Sequence, residues 1–209
     1  MTDSTNTVNP SRRSEQLRRA SSERGYPYSN SPDYTHGDYE TEKEAEDDLD
    51  AALARFGMFT VHKEVVGCHL QPRLGQEVFK PRIDRLLIPN ASAVAAGWTH
   101  GAVGVEVKRT FEKVGRPMAQ MIDYSRCAFR IKPSGISVIP SYVFLFNYST
   151  QGGPLASVFA QQRLGGLSWD GKRLFFQTGQ DYLALFDTAN GGEIRINLEL
   201  AQGTKAGSR

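Results

Sequence analysis

Apolar positions along residues 42–56 recur at Ala45, Leu49, Ala52, Leu53 and Phe56, the three- and four-residue spacing of one helix face. Thr41 and an acid-rich first turn open that segment, and Gly57 stops it. The pattern then changes. "MFTVHKEVVG", "VFKPRIDRLLIP" and "GAVGVEVKRT" are strand-like runs, the last two joined by the loop "NASAVAAGWTHG". A helical pattern returns in "PMAQMIDYSRCAFR", with Gly115-Arg116-Pro117 at its start. "SYVFLFNY" is a continuous apolar run that predicts a buried strand. "GPLASVFAQQRLGG" predicts a third helix ending at Gly165-Gly166. "SWDGKR" and "TANGGEI" carry hairpin turns at Asp170-Gly171 and Asn190-Gly191. The order helix, three strands, helix, strand, helix, strands predicts an α/β domain on a mixed sheet whose first three strands form a meander.

Composition sets the limits. Residues 1–40 contain Ser, Asn, Arg, Tyr and Pro with almost no aliphatic side chains, as in a disordered tail, which leaves 41–209 as one folded domain. Arg12, Arg13, Arg18 and Arg19 lie in that tail, where a solvated arm is the plain expectation. No apolar run approaches the ~18–20 residues of a membrane span, and the start lacks the apolar stretch of a secretory signal; a cytoplasmic protein is expected. Two cysteines, Cys68 and Cys127, cannot supply a disulfide framework or a four-cysteine metal site. The histidines show no ligand-like spacing, and the Cys68-His69 pair alone is a weak metal signal. The chain lacks a phosphate-binding G-x-x-x-x-G-K-[ST] loop, so no use of ATP is expected.

Charge is uneven. The net charge is +2, yet residues 1–50 hold 6 Lys/Arg against 12 Asp/Glu, while residues 51–132 hold 13 against 6. The basic excess surrounds "GVEVKRT" and suits a polyanion, nucleic acid first. In that strand Val105 and Val107 take one face, and Glu106 and Lys108 the other. Glu106 and Lys108 either face water as a weak pair or belong to a site. Asp84, 22 positions before Glu106, lies on the preceding strand. If the two strands pair, the carboxylates approach each other and favour a divalent cation, for which oxygen ligands suit Mg²⁺ or Mn²⁺. Lys108 can then orient a water or stabilise charge on a phosphate under attack. These are the components of metal-assisted phosphodiester hydrolysis.

Asp84 followed by Glu106-Val107-Lys108 resembles the core motif of the PD-(D/E)XK nuclease superfamily, and the element order over roughly residues 42–148 is similar too. Ile83 stands where the motif's name has proline, a position that varies in the superfamily. The spacing of Gln120 and Tyr124 resembles the Q-x-x-x-Y motif of the RecB-like branch.

The resemblance implies a restriction-endonuclease-like mixed central sheet flanked by helices. It also implies a Mg²⁺-dependent deoxyribonuclease, with Mn²⁺ able to substitute, acting in recombination, repair or DNA processing. Asp84, Glu106, the Val107 carbonyl and a first-helix acid, Glu46 with Asp47 as fallback, would hold the metal. Lys108 would activate water, and Gln120 and Tyr124 would support the site. Arg85 and Arg109 would contact DNA, as could Arg82, Arg116 and Arg126, and His100 lies in the loop before the motif strand.

An exonuclease-like enzyme and a junction-resolving homodimer both remain open, as does RNA as substrate. So does a catalytically inactive member serving as a DNA-binding or protein-interaction module. Trp169, Phe175, Phe176, Tyr182 and Phe186 of the last third could extend the sheet, form a dimer surface or stack on bases, with core packing the simplest use.

Overall fold

Thr41 starts the first helix as the spacing predicts. Its hydroxyl accepts the Glu44 amide at 3.1 Å, and the Glu44 carboxylate accepts the Thr41 amide in return. Gly57, at φ 59°, caps the other end in the left-handed conformation that glycine adopts at little cost. The helix between them, α1 (Glu42–Phe56), buries Ala45, Leu49, Ala52, Leu53 and Phe56, the five positions the periodicity selects. This computed structural model describes residues 39–71, 80–108, 115–148, 156–169, 173–178, 181–188 and 191–196. Most of the expected tail lies outside these, but Tyr39 belongs to the domain. Its hydroxyl donates to Asp48 at 2.6 Å and its ring meets Phe146.

Strands β1 (Phe59–His69), β2 (Arg82–Pro89) and β3 (Val103–Val107) form the expected antiparallel meander. The apolar run 141–148 gives β6 (Tyr142–Phe146), parallel to β3. Parallel to β6 lies β7 (Leu164–Trp169), and β8 (Arg173–Thr178), β9 (Asp181–Thr188) and β10 (Gly191–Ile196) follow antiparallel. The strands on either side of Asp170-Gly171 and Asn190-Gly191 therefore pair antiparallel as expected, the turn residues 170–172 and 189–190 lying outside the described residues, and the last third extends the sheet. At the other end, β1 passes its last three residues to β4 (Cys127–Arg130), which carries the short β5 (Ser137–Val138). The strands run β10-β9-β8-β7-β6-β3-β2-β1-β4-β5.

The sheet separates two apolar layers. Val103, Val105, Val107, Phe144 and Phe146 face α1, whereas Val143 and Leu145 face the helix α3 (Gly115–Tyr124) through Met121 and Tyr124. The alternation along β6 is what a strand buried on both faces requires. The chain is thus α/β with a mixed sheet and few helices, as expected. Among the described residues, no helix is long and apolar enough to cross a membrane.

Three segments depart from the sequence reading. The loop 90–101 contains a short helix, α2 (Ala91–Ala95), because the Asn90 side chain accepts the Ala93 amide at 3.1 Å. The helix expected over 117–130 stops at Tyr124. Cys127 and Phe129 then alternate inward with a two-residue period, and pairing with β1 takes their backbone groups. The third helix, α4 (Ala156–Gln161), is short, and Gly165-Gly166 lie inside β7 rather than ending it. A Cβ on Gly165 would collide with the Gln177 carbonyl and the Phe144 ring, so glycine there permits close strand approach.

Candidate active site

Both β1 and β2 turn over at one step. Lys63 and Arg85 reach Asp50 of α1, yet Val65 and Ile83, two residues away on each strand, pack in the opposite layer. Between them Glu64 takes φ 52°, an uncommon conformation for a residue with a Cβ. Asp84 lies across from it and is turned toward β3. Its Oδ2 accepts the Val107 amide at 2.7 Å. The β2–β3 register pairs Arg85 with Val105, so the next step sets Asp84 opposite Glu106.

Glu106 is buried, with 2% of its side chain exposed. Its Oε1 ion-pairs with Lys108 Nζ at 2.9 Å, while its Oε2 is buried without a hydrogen-bond partner. This excludes the reading of Glu106 and Lys108 as a water-facing strand pair. Burial, then the neighbouring Asp84 charge, push the Glu106 carboxyl up to about 7 against the opposing pull of Lys108. Burial also raises Asp84, although the Val107 amide and Lys108 work against it. For Lys108, burial alone would lower the pKa, but Glu106 and Glu42 outweigh it and the net shift is upward, so the side chain is an ammonium at neutral pH. The same ammonium donates to the Val107 carbonyl and to Glu42, each at 3.0 Å.

Tyr124 is buried beside this pair. Burial first, and then the Glu106 and Asp84 charges, raise its pKa, which keeps the phenol protonated. It donates to the Arg82 carbonyl at 2.9 Å, fixing the start of β2. Gln120 lies one turn earlier, half-buried, with no hydrogen bond to either carboxylate among the described residues.

The helix acid is placed differently from expectation. Glu46 does not reach Asp84 and Glu106; it pairs with Arg85 at 3.1 Å. Asp47 is exposed and pairs with Lys43. Glu42, one turn before Glu46, is the α1 carboxylate that meets the site through Lys108. The sequence signal was the four-residue step from Glu42 to Glu46 along one helix stripe.

Arg85 is not a DNA contact either. It is 1% exposed, its Nε and Nη2 bind the two Asp50 oxygens at 2.7 and 3.0 Å, and its Nη1 binds the Asp84 carbonyl. Arg109 lies outside the described residues. Arg82, Arg116 and Arg126 are exposed on the basic segment, Arg82 paired with Glu64. His100 packs edge-on against Trp98 and Tyr142.

Among the described residues, no three His, Cys, Asp or Glu side chains gather as a ready metal centre. The oxygens around Lys108 nevertheless fit a hard divalent cation. They are the Glu106 carboxylate, with its unpartnered buried oxygen, and the Val107 carbonyl, both on Lys108, and the Asp84 carboxylate that accepts the Val107 amide at the same strand end. No family model matches the chain, and no curated protein or solved structure matches it.

Proposed function

We propose that this chain is a Mg²⁺-dependent deoxyribonuclease built on a restriction-endonuclease-like fold. The observation that carries the reading is the meeting of Asp84, Glu106 and Lys108 at the end of β3, around a buried carboxylate oxygen that lacks a partner. A buried carboxylate oxygen without a hydrogen-bond partner is costly, and its persistence is characteristic of a functional site. The run of α1, the β1–β3 meander, α3 and then β6 parallel to β3 agrees with the order that the superfamily resemblance implies.

Asp84, Glu106 and the Val107 carbonyl would hold Mg²⁺, or Mn²⁺ in its place. When bound, the cation supplies the Lewis acidity that phosphodiester hydrolysis requires. The chain supplies the rest. Lys108 carries a positive charge that orients the attacking water and stabilises the charge growing on the phosphate. Tyr124 keeps Asp84 in place through the Arg82 carbonyl. Exposed Arg82, Arg116 and Arg126 offer charge to the phosphate backbone. Such an enzyme would work on DNA in recombination, repair or processing, in the cytoplasm and without ATP. An end-processing nuclease and a homodimeric junction resolvase both fit the site.

One observation favours a second reading. Glu46 is committed to Arg85 and Glu42 to Lys108, which leaves Asp84 and Glu106 as the carboxylates to hold a cation, and an inactive DNA-binding or protein-interaction module would tolerate that deficit. Labelled single-stranded, duplex and four-way-junction DNA incubated with Mg²⁺, Mn²⁺ or EDTA separates the two. Cation-dependent cutting that disappears in Lys108→Ala supports the nuclease, and the substrate cut identifies its type. DNA binding without cutting by the wild type supports the module.

A further inference from the structure

Lys108 has a closed set of partners. A lysine ammonium carries three N–H donors, and here they meet three oxygens: Glu106 Oε1 at 2.9 Å, the Val107 carbonyl at 3.0 Å and Glu42 Oε1 at 3.0 Å. Two of these oxygens are ones that a divalent cation would need. Glu42 is different: its side chain is 46% exposed, against 2% for Glu106, and it sits in the first turn of α1 rather than on the sheet.

We propose that Lys108 is the site's built-in counter-ion. In the metal-free chain its ammonium holds the oxygens of Glu106 and Val107 that a divalent cation takes over, and Glu42 retains the displaced ammonium beside the site. The inference rests on the metal-dependent reading above. A fixed ammonium compensates the buried Asp84–Glu106 pair, whose charges would otherwise meet in a low-dielectric setting. Cation and ammonium then compete for the same oxygens, and each cation bound breaks two Lys108 contacts. Glu42 becomes the ammonium's remaining partner. It is a positioning residue that acts through Lys108.

The test is Mn²⁺ binding, followed by titration calorimetry and by the electron-spin signal of free Mn²⁺, with no DNA present. Lys108→Met removes the competitor and is expected to tighten Mn²⁺ binding by about tenfold. Glu42→Gln leaves the displaced ammonium without its acceptor and is expected to weaken binding by a few fold. Since Glu42 lies at an exposed helix start, that variant reads the proposal even if Lys108→Met does not fold. In the double variant, removing Glu42 should cost less than it does in the wild-type background, because there is no ammonium left to retain. Unchanged or weaker binding in Lys108→Met, or a full Glu42 effect in its absence, overturns the counter-ion role. If Glu106→Gln still abolishes binding, the metal-dependent reading survives that failure. If no variant and not the wild type binds Mn²⁺, both fall.

Discussion

Asp84 and Arg85 are adjacent residues that anchor two ionic clusters of opposite character. Arg85 is enclosed by Glu46 and Asp50, with Lys63 on the outer side of Asp50, and each nitrogen of its guanidinium has an oxygen partner. Asp84 borders Glu106 and Lys108, where one buried oxygen has none and a carboxyl is pushed up to about 7. Both clusters gather buried charge on the meander, the first beneath α1 and the second at the end of β3, between Glu42 of α1 and Tyr124 of α3. What separates them is completion. A buried charge network with its bonds made fastens a helix to a sheet, and one left short of a partner can receive a ligand.

That contrast breaks most visibly in activity. Glu106→Gln or Lys108→Ala should lower metal-dependent cleavage by about a thousandfold or more. Arg85→Met should leave the cleavage rate per folded molecule within a few fold. Single-turnover assays on the variants check both.

Stability should reverse the order. Removing Arg85 leaves Glu46 and Asp50 without their shared cation, and truncation to alanine should cost about 3–5 kcal/mol in urea unfolding. Removing Glu106 should have the opposite sign in EDTA. Its carboxyl is raised from 4.5 to about 7 in the folded chain, so the unfolded chain releases that proton first as pH rises. This contribution to stability is complete below the ordinary carboxylate range and is lost as pH climbs through 7. Glu106→Gln, which mimics the protonated form, should therefore match the wild type near pH 4. Above pH 7 it should exceed it by at most about 3 kcal/mol. Unfolding midpoints at the two pH values read this directly.

The smallest effect concerns the turn-over step between the clusters. Glu64→Gly relieves a positive φ of 52° and gives up only an exposed pair with Arg82. It should raise stability by about 0.5 kcal/mol at most. A loss of more than that would assign Glu64 a role in holding Asp84.

Local signals made much of this legible. Helix α1 reads from the spacing of five apolar residues and from Thr41 and Gly57, all acting within a turn or two. The meander and the Glu106–Lys108 pairing follow from period-two patterns. Other features depend on what the chain meets elsewhere. Cys127–Arg130 continues a helical pattern on paper and becomes a strand because the end of β1 lies free to pair with it. Gly165 looks like a helix stop until the neighbouring strands press against it. Arg85 reads as a surface arginine beside a motif, and only the packing of α1 shows it enclosed. Glu42 and Glu46 share a helix face, and the sequence does not say which lies over Lys108. That depends on how far α1 is set along the sheet.

The central claim is that Asp84, Glu106 and Lys108 form a metal-dependent site for cutting DNA, and single-turnover cleavage of labelled DNA in Mn²⁺ tests it most directly. Wild type, Asp84→Asn and Arg85→Met would be compared at equal folded concentration. The account predicts cutting by wild type and Arg85→Met, abolished by EDTA, and none by Asp84→Asn. Equal cutting by wild type and Asp84→Asn, or cutting that persists in EDTA, would contradict it.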